Sequence, residues 1–130
     1  MRPKKIETES APKALGPYSQ AIAAHAGTVV WVSGQLGIDP ATGSLVAGGV
    51  GAQTEQAIKN VFAVVEAAGG RPASVVKTTV YLRDLRDFGA MNEVYGRLFA
   101  APFPARACIG VAGLPKDGLV EIEAVAMLED

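Results

Sequence analysis

Hydrophobic residues recur through the segment Gln53–Ala68 at the spacing of an α-helix. They lie three and four residues apart and therefore share one helical face: Ile58, Val61, Phe62, Val65 and Ala68. Gly69 follows directly, and glycine ends helices readily because it adopts a left-handed backbone without strain. The pattern predicts one amphipathic helix that packs on a core.

A second helix is predicted after Asp87, a residue type that caps helices. Its apolar residues form one stripe: Phe88, Met91, Tyr95, Leu98 and Phe99. Pro102 and Pro104 end this element, because proline lacks the backbone N–H that a helix requires.

The remaining periodic segments alternate between apolar and polar residues or are short apolar runs, which are typical of β-strands. They are Lys5–Glu7, Ser19–His25, Val29–Ser33, Val75–Arg83, Ala105–Ala112 and Val120–Leu128. Two turns connect neighbouring strands into predicted hairpins, one at Ala26–Thr28 and one at Leu114–Gly118. Apart from the short edge segment Lys5–Glu7, the order is β-β-α-β-α-β-β, which predicts an α+β fold in which two helices pack on one face of a mixed β-sheet.

Alternation in the last two strands suggests which residues face the helices. The side facing the helices is predicted to carry Ile109, Val111, Val120 and Ile122. The opposite side is predicted to carry Arg106, Cys108, Glu121 and Glu123, together with Val125 and Met127. The chain has no second layer for that opposite face, so we expect a further copy of the chain to cover it in a closed homo-oligomer. The alternative is a sheet face exposed to solvent, which antiparallel sheets often have.

Composition fits one globular domain over residues 1–130, with 49% apolar and 19% charged residues. Twelve basic and 13 acidic side chains give a net charge of −1, which argues against a broad nucleic-acid surface. Apolar runs are too short to cross a membrane, and the basic start Met1–Lys5 lacks a following apolar stretch. With one Cys and one His, we expect a cytoplasmic protein without an internal disulfide or a His-rich metal site.

A few side chains could carry chemistry. Arg106 is suited to binding a carboxylate through two parallel hydrogen bonds, or it could form a structural ion pair with Glu121. Glu121 and Glu123 could serve in acid–base catalysis, or both could be solvated carboxylates. Cys108 is a candidate nucleophile, although a buried small side chain is the commoner role.

Two further features border the predicted strands. Tyr18 follows a Gly-Pro turn and could point into a cleft or pack with its hydroxyl satisfied. Ser33 and Gly34 end a strand, where glycine permits close approach of a ligand or marks a bulge.

Several ordered motifs resemble those of the RidA/YjgF family, and together they cover nearly the whole chain. They are Gly16–Ala21 (GPYSQA), Ser33–Gln35 (SGQ), Gln53–Ala57 with Asn60 and Val61, Lys77–Leu82 (KTTVYL) with Asp84 and Leu85, Pro104–Arg106 (PAR), Leu114–Lys116 (LPK) and Val120–Ala124 (VEIEA). The resemblance implies a fold like that of bacillus-type chorismate mutase. It also implies a homotrimer with sites in clefts between subunits.

The resemblance further implies a deaminase that hydrolyses reactive 2-enamine and 2-imine acids, such as 2-aminoacrylate, to 2-keto acids and ammonia. Such compounds leak from pyridoxal-phosphate dehydratases, so the implied role is control of metabolite damage, without a cofactor or metal. Arg106 and Glu121 match the family's catalytic positions. Other positions match residues that line its cleft: Tyr18, Ser33, Gly34, Asn92 and Cys108.

Three other functions are considered. The deaminase could serve one dedicated catabolic pathway, or the trimer could bind metabolites or unfolded proteins without catalysis. The family has also been described as ribonucleases or translation inhibitors. A metal-free ribonuclease needs an acid and a base near a cationic phosphate site, whereas this chain has His25 as its single histidine and a net charge of −1.

Overall fold

A computed structural model describes residues 3–25 and 27–129. The strands and helices, in chain order, are β1 (Lys4–Ile6), β2 (Ala21–Ala23), β3 (Thr28–Leu36), β4 (Ile38–Asp39), β5 (Ser44–Leu45), α1 (Gly49–Ala67), β6 (Val75–Leu82), α2 (Phe88–Leu98), β7 (Ala105–Gly110) and β8 (Val120–Leu128). Within the described ranges, no helix has the length and apolar character needed to cross a bilayer.

Four strands form the main sheet in the order β3-β8-β6-β7. Neighbouring strands are antiparallel except β6 and β7, which are parallel and are connected through α2. The short strands form two separate ribbons, β1 with β2 and β4 with β5. The predicted mixed sheet is therefore confirmed.

Both helices pack on the same face of this sheet, as the periodicity predicts. Helix α1 contributes a buried stripe to the core: Ala57, Ile58, Val61 and Val65. Helix α2 adds Met91 and Tyr95, both with no exposed surface. Every second residue of β8 faces them: Val120, Ile122, Ala124 and Ala126. The two helices and one sheet face thus share a single hydrophobic core.

The end of α1 follows from its glycines. Gly69 adopts a left-handed backbone with φ 94°, and its N–H donates to the carbonyl of Glu66. The Gly70 N–H donates to the carbonyl of Val65, so the two bonds form a Schellman motif. The predicted helix end at Gly69 is confirmed.

The two predicted hairpins are wrong. Strand β2 pairs with β1, and β3 pairs with β8, so the strands on either side of residues 26–28 do not pair with each other. Of that turn, Ala26 lies outside the described residues. Likewise β7 and β8 are not neighbours, because β6 lies between them and pairs with both. Sequence neighbours were paired in the prediction, whereas the crossover through α2 inserts β7 at the sheet edge.

The predicted faces are right for β8 and wrong for β7. Arg106 and Cys108 are opposite Thr78 and Val80, which have no exposed surface and face the helices. Ile109 lies on the other face and is 48% exposed. The apolar residue was expected to face inward, but the register with β6 turns the arginine and the cysteine toward the helices instead.

Candidate active site

Arg106 lies at the edge of the sheet, among aromatic rings. Its guanidinium carbon is 4.8 Å from the ring centre of Tyr95, 5.4 Å from that of Tyr18 and 5.6 Å from that of Phe88. Its Nη1 donates a 2.6 Å hydrogen bond to Oδ1 of Asn92, on helix α2. The rings stabilise the cation through their negative faces, and Asn92 fixes the orientation of the guanidinium plane.

This arginine has no carboxylate partner among the residues the structure describes. The ion pair with Glu121 considered from the sequence is wrong, because Arg106 faces the helices and Glu121 faces the opposite side of the sheet. A half-buried guanidinium with free N–H donors has a strong preference for an anion that accepts two parallel hydrogen bonds. A ligand carboxylate has that geometry.

Tyr95 packs its ring against the Arg106 guanidinium from the core side. It is fully buried, its ring stacks on Phe99 with centres 4.4 Å apart, and its hydroxyl is 2.7 Å from Oγ1 of Thr78. Burial raises the pKa of Tyr95 to about 12, so its hydroxyl stays neutral at physiological pH. The ring under the guanidinium is therefore held by the core on one side and by strand β6 on the other.

Tyr18 reaches Arg106 from the loop before β2. The next residue, Ser19, donates its backbone N–H to the carbonyl of Pro104 at 3.1 Å, which ties this loop to the segment entering β7. Gly16 makes close contact with helix α2, since a Cβ there would lie 3.3 Å from Nδ2 of Asn92. The loop therefore covers the guanidinium with the Tyr18 ring.

Cys108 lies two residues beyond Arg106 on the same side of β7 and packs against the core. Burial raises the pKa of this thiol, and the positive charge of Arg106 opposes the rise. A thiol with a raised pKa is a poor nucleophile at neutral pH. Cys108 is thus better suited to line a pocket than to attack a substrate.

Glu121 lies on the opposite face of the sheet, beside a β-bulge in β3. The bulge falls between Val32 and Gln35 and contains Ser33 and Gly34, both exposed. A Cβ on Gly34 would lie 2.6 Å from Oε2 of Glu121, so the carboxylate rests directly on the glycine backbone. Here the absent side chain of glycine makes room for the Glu121 carboxylate.

The candidate residues therefore form two groups in one protomer. Arg106 lies on the helix side of the sheet, surrounded by Asn92, Tyr18 and Cys108. Glu121 lies with Ser33 and Gly34 on the sheet face opposite the helices, the open face. A concavity of about 820 Å³ lies beside Tyr18 and the N-terminal loop, and neither Arg106 nor Glu121 lines it. Neither group alone offers both an anion clamp and a carboxylate.

Sequence reasoning missed two residues at this site. Phe88 and Tyr95 are on the predicted apolar stripe of α2 and were assigned to the core alone. Phe88 is 39% exposed, which is unusual for a core phenylalanine and places its ring at the mouth of the Arg106 site. The spacing of seven residues between them, two helical turns, was a signal that both rings share one side of the helix.

Comparison with known proteins assigns the chain to a family. A model of the endoribonuclease L-PSP family matches residues 8–128. A human protein named 2-iminobutanoate/2-iminopropanoate deaminase is 49% identical over 122 residues, which are 94% of this chain and 88% of that protein.

Solved structures agree in fold. The crystal structure of RidA from Psychrobacter sp. PAMC 21119 has a TM-score of 0.76 and 48% identity, and the match covers 96% of this chain and 99% of that one. Escherichia coli TdcF, crystallised with bound serine, has a TM-score of 0.74 and 41% identity, with 97% and 99% covered. The chain belongs to the RidA/YjgF family.

Proposed function

We propose that this protein is a deaminase that hydrolyses 2-imine and 2-enamine acids to 2-keto acids and ammonia. The observation that carries the proposal is Arg106, a half-buried cation within an aromatic enclosure and without a carboxylate partner in the described chain. Relatives at about 50% identity that are named 2-iminobutanoate/2-iminopropanoate deaminase support the same reaction.

Arg106 binds the substrate carboxylate through two parallel hydrogen bonds and so fixes the adjacent C=N carbon. Asn92 holds the guanidinium in place through its Oδ1. Tyr18 closes the pocket over the bound anion. The serine bound to TdcF, which carries a carboxylate next to a nitrogen-bearing carbon, is a ligand of the same kind.

Glu121 directs the attacking water. An enamine is first protonated on its terminal carbon to give the iminium. Water then adds to the iminium carbon while Glu121 accepts the proton, and the resulting carbinolamine is protonated on nitrogen and expels ammonia. The C–N bond breaks as the keto group forms, and no electrons leave the system. Because an iminium carbon is already electrophilic, one clamp and one oriented water are sufficient for this modest acceleration.

The complete site forms between subunits of a homotrimer, with Arg106 from one subunit and Glu121 from the next. The separation of the two residues on opposite sheet faces supports this arrangement. The open face also exposes apolar side chains: Trp31 is 77% exposed, Ile109 48% and Val29 37%. Since a monomer rarely leaves such a patch in water, a second copy is the natural cover.

The biological setting follows from the chemistry. Reactive enamine acids form when pyridoxal-phosphate dehydratases release unfinished products, so the protein would act in the cytoplasm beside them as protection against metabolite damage. The other three functions are a deaminase of one catabolic pathway, a non-catalytic metabolite-binding or holdase trimer, and a ribonuclease. The near neutral net charge of −1 does not favour the ribonuclease.

The test couples threonine dehydratase, which supplies 2-iminobutanoate, to detection of 2-ketobutanoate with and without the protein. Wild-type protein should accelerate keto-acid formation above the spontaneous rate. Arg106→Ala should lower kcat/KM about 100-fold or more, because it removes a charge-assisted pair of hydrogen bonds. Arg106→Lys keeps the charge without the bidentate geometry and should fall between the two.

Arg86→Ala is the matched control, since the Arg86 side chain is 90% exposed and its partner is Asp84. It should retain full activity. If wild-type protein gives no acceleration, the deaminase proposal fails. Tight binding of 2-ketobutanoate without turnover would identify the non-catalytic binding protein instead, and RNA cleavage that disappears in a point variant would identify the ribonuclease.

A further inference from the structure

Two carboxylates on the open sheet face turn away from each other. Glu121 and Glu123 are two residues apart on β8 and project from the same face. Glu121 leans toward β3 and rests on Gly34, as the 2.6 Å approach of its Oε2 to a Cβ built there shows. Glu123 leans the other way, toward β6, where its Oε1 accepts a hydrogen bond from the hydroxyl of Tyr81.

Tyr81 spans the strand pair diagonally. Its Cα is opposite Glu121, while its hydroxyl reaches Glu123, two residues further along β8. The bond to Glu123 raises the pKa of Tyr81, and the negative charges of Glu123 and Glu121 add to the rise. The phenol therefore remains a hydrogen-bond donor throughout the physiological range.

The charges on this face are few. Lys77 and Tyr81 are the titratable residues that β6 places there, and Glu121 and Glu123 are those of β8. The neighbouring strands place uncharged residues on the face: Val29, Trp31 and Ser33 on β3, and Ala105, Ala107 and Ile109 on β7. Lys77 is opposite Val125, beyond Glu123 as seen from Glu121. Two negative charges thus lie on the face that we assign to the binding of an anionic substrate.

We propose that Tyr81 is a positioning residue that holds Glu123 on the β6 side, so that Glu121 is the single carboxylate presented to the substrate. This inference rests on the proposed function, because it assumes that a substrate carboxylate comes to this face. One carboxylate is needed to orient water. A second one free to swing beside it would repel the substrate and weaken its capture by the arginine of the neighbouring subunit.

The size of this effect follows from Coulomb's law. A released carboxylate about 5 Å from the substrate anion, in a solvated cleft with a dielectric constant of roughly 50–80, raises KM about threefold to tenfold. Turnover of bound substrate changes little, because Glu121 and its water stay in place. Salt screens such a repulsion, so the rise in KM should shrink at high ionic strength.

The experiment compares Tyr81→Phe, Glu123→Gln and the double variant with wild type. Tyr81→Phe keeps the ring and frees Glu123, so KM should rise about threefold to tenfold while kcat stays within about twofold. Glu123→Gln removes the charge and should leave KM at or below the wild-type value. The double variant should return KM to near the wild-type value, because no second charge remains to be held.

Glu66→Gln removes an exposed carboxylate on α1 and is the control for a simple change in net charge. Two outcomes overturn the inference alone: Tyr81→Phe with an unchanged KM, or a defect of the same size in the double variant, which indicates a structural role. Binding of 2-ketobutanoate, measured by calorimetry on wild type and all four variants, should follow the KM values and needs no turnover. If wild-type protein accelerates hydrolysis but the variants do not show the expected KM values, the inference about Tyr81 fails and the deaminase proposal stands. Wild-type protein that neither binds nor turns over overturns both.

Discussion

Arg106 marks the candidate site because its described neighbours include aromatic rings but no carboxylate. The fold surrounds it with three rings and one amide oxygen, and no described carboxylate neutralises it. Rings stabilise a cation without competing for its hydrogen-bond donors, whereas a carboxylate would occupy them. A ligand anion therefore finds a charged, oriented and available group.

Gly34 leaves the space in which the Glu121 carboxylate lies. Replacing Gly34 with Ala inserts a methyl group 2.6 Å from the carboxylate oxygen, so the carboxylate must move. We expect Gly34→Ala to lower kcat about tenfold or more with a small change in the unfolding temperature, since misplacement of a reacting group by about 1 Å is costly. Steady-state kinetics in the dehydratase-coupled assay measures the loss.

Gly113→Ala is the matched control, because a Cβ there meets no atom within 4 Å. It should match wild type in both kinetics and stability. If Gly34→Ala kept the wild-type kcat, Glu121 would not need its observed position. That result would contradict the proposed role of Glu121 in orienting water.

At the scale of elements, periodicity was sufficient for the helices and for β8. The buried stripe of α1 and the alternation Val120, Ile122, Ala124, Ala126 were visible because large apolar residues face one side only. Strand β7 offers no such contrast, since it consists mainly of small residues, and its faces are decided by the parallel register with β6. That register depends on a long-range crossover through α2, which local patterns do not encode.

The same limit applied to the site. By resemblance, the motifs predict Arg106 and Glu121 as candidate site residues, yet their positions on opposite faces depend on the strand order β8-β6-β7. Phe88 and Tyr95 were missed because an aromatic stripe on a helix is usually core, and only the three-dimensional neighbour, a cation, gives them a second role.

Helix α1 supports the sheet end that bears Glu121. Asn60 donates from Nδ2 to the carbonyls of Leu36 and Ile38 at 3.0 and 2.9 Å, and its Oδ1 accepts from Gln56 at 2.8 Å. Leu36 is the β3 residue opposite Glu121 in the ladder. Asn60→Ala should lower the free energy of unfolding by about 1–3 kcal/mol, because two half-buried carbonyls lose their partner.

Denaturant unfolding at one fixed protein concentration measures this change, since the stability of the proposed trimer would depend on concentration. Lys59→Ala is the control from the adjacent position of the same helix, where the side chain is 60% exposed. It should change stability by less than about 0.5 kcal/mol. Equal stability of Asn60→Ala and wild type would show that the three hydrogen bonds are redundant.

At the scale of the whole molecule, Arg106 and Glu121 lie on opposite faces of one sheet, and in the proposed homotrimer each Arg106 would meet a neighbour's Glu121. This arrangement predicts complementation between two inactive variants. Arg106→Ala and Glu121→Gln should each be nearly inactive alone. In mixed trimers, however, an intact Arg106 from one variant meets an intact Glu121 from the other.

Mixed trimers should recover about a third of wild-type activity, because each of them, with either variant in two copies, has one intact site among three. The measurement uses co-expressed subunits with different tags, purified through both tags and assayed with the dehydratase couple. Co-assembly of Arg106→Ala with Asn92→Ala is the control, since these two lesions fall in the same half-site and no interface regains both residues. Mixed trimers of Arg106→Ala and Glu121→Gln with no activity above that of the parents would contradict a site shared between subunits, because the geometry of one protomer keeps the two residues apart.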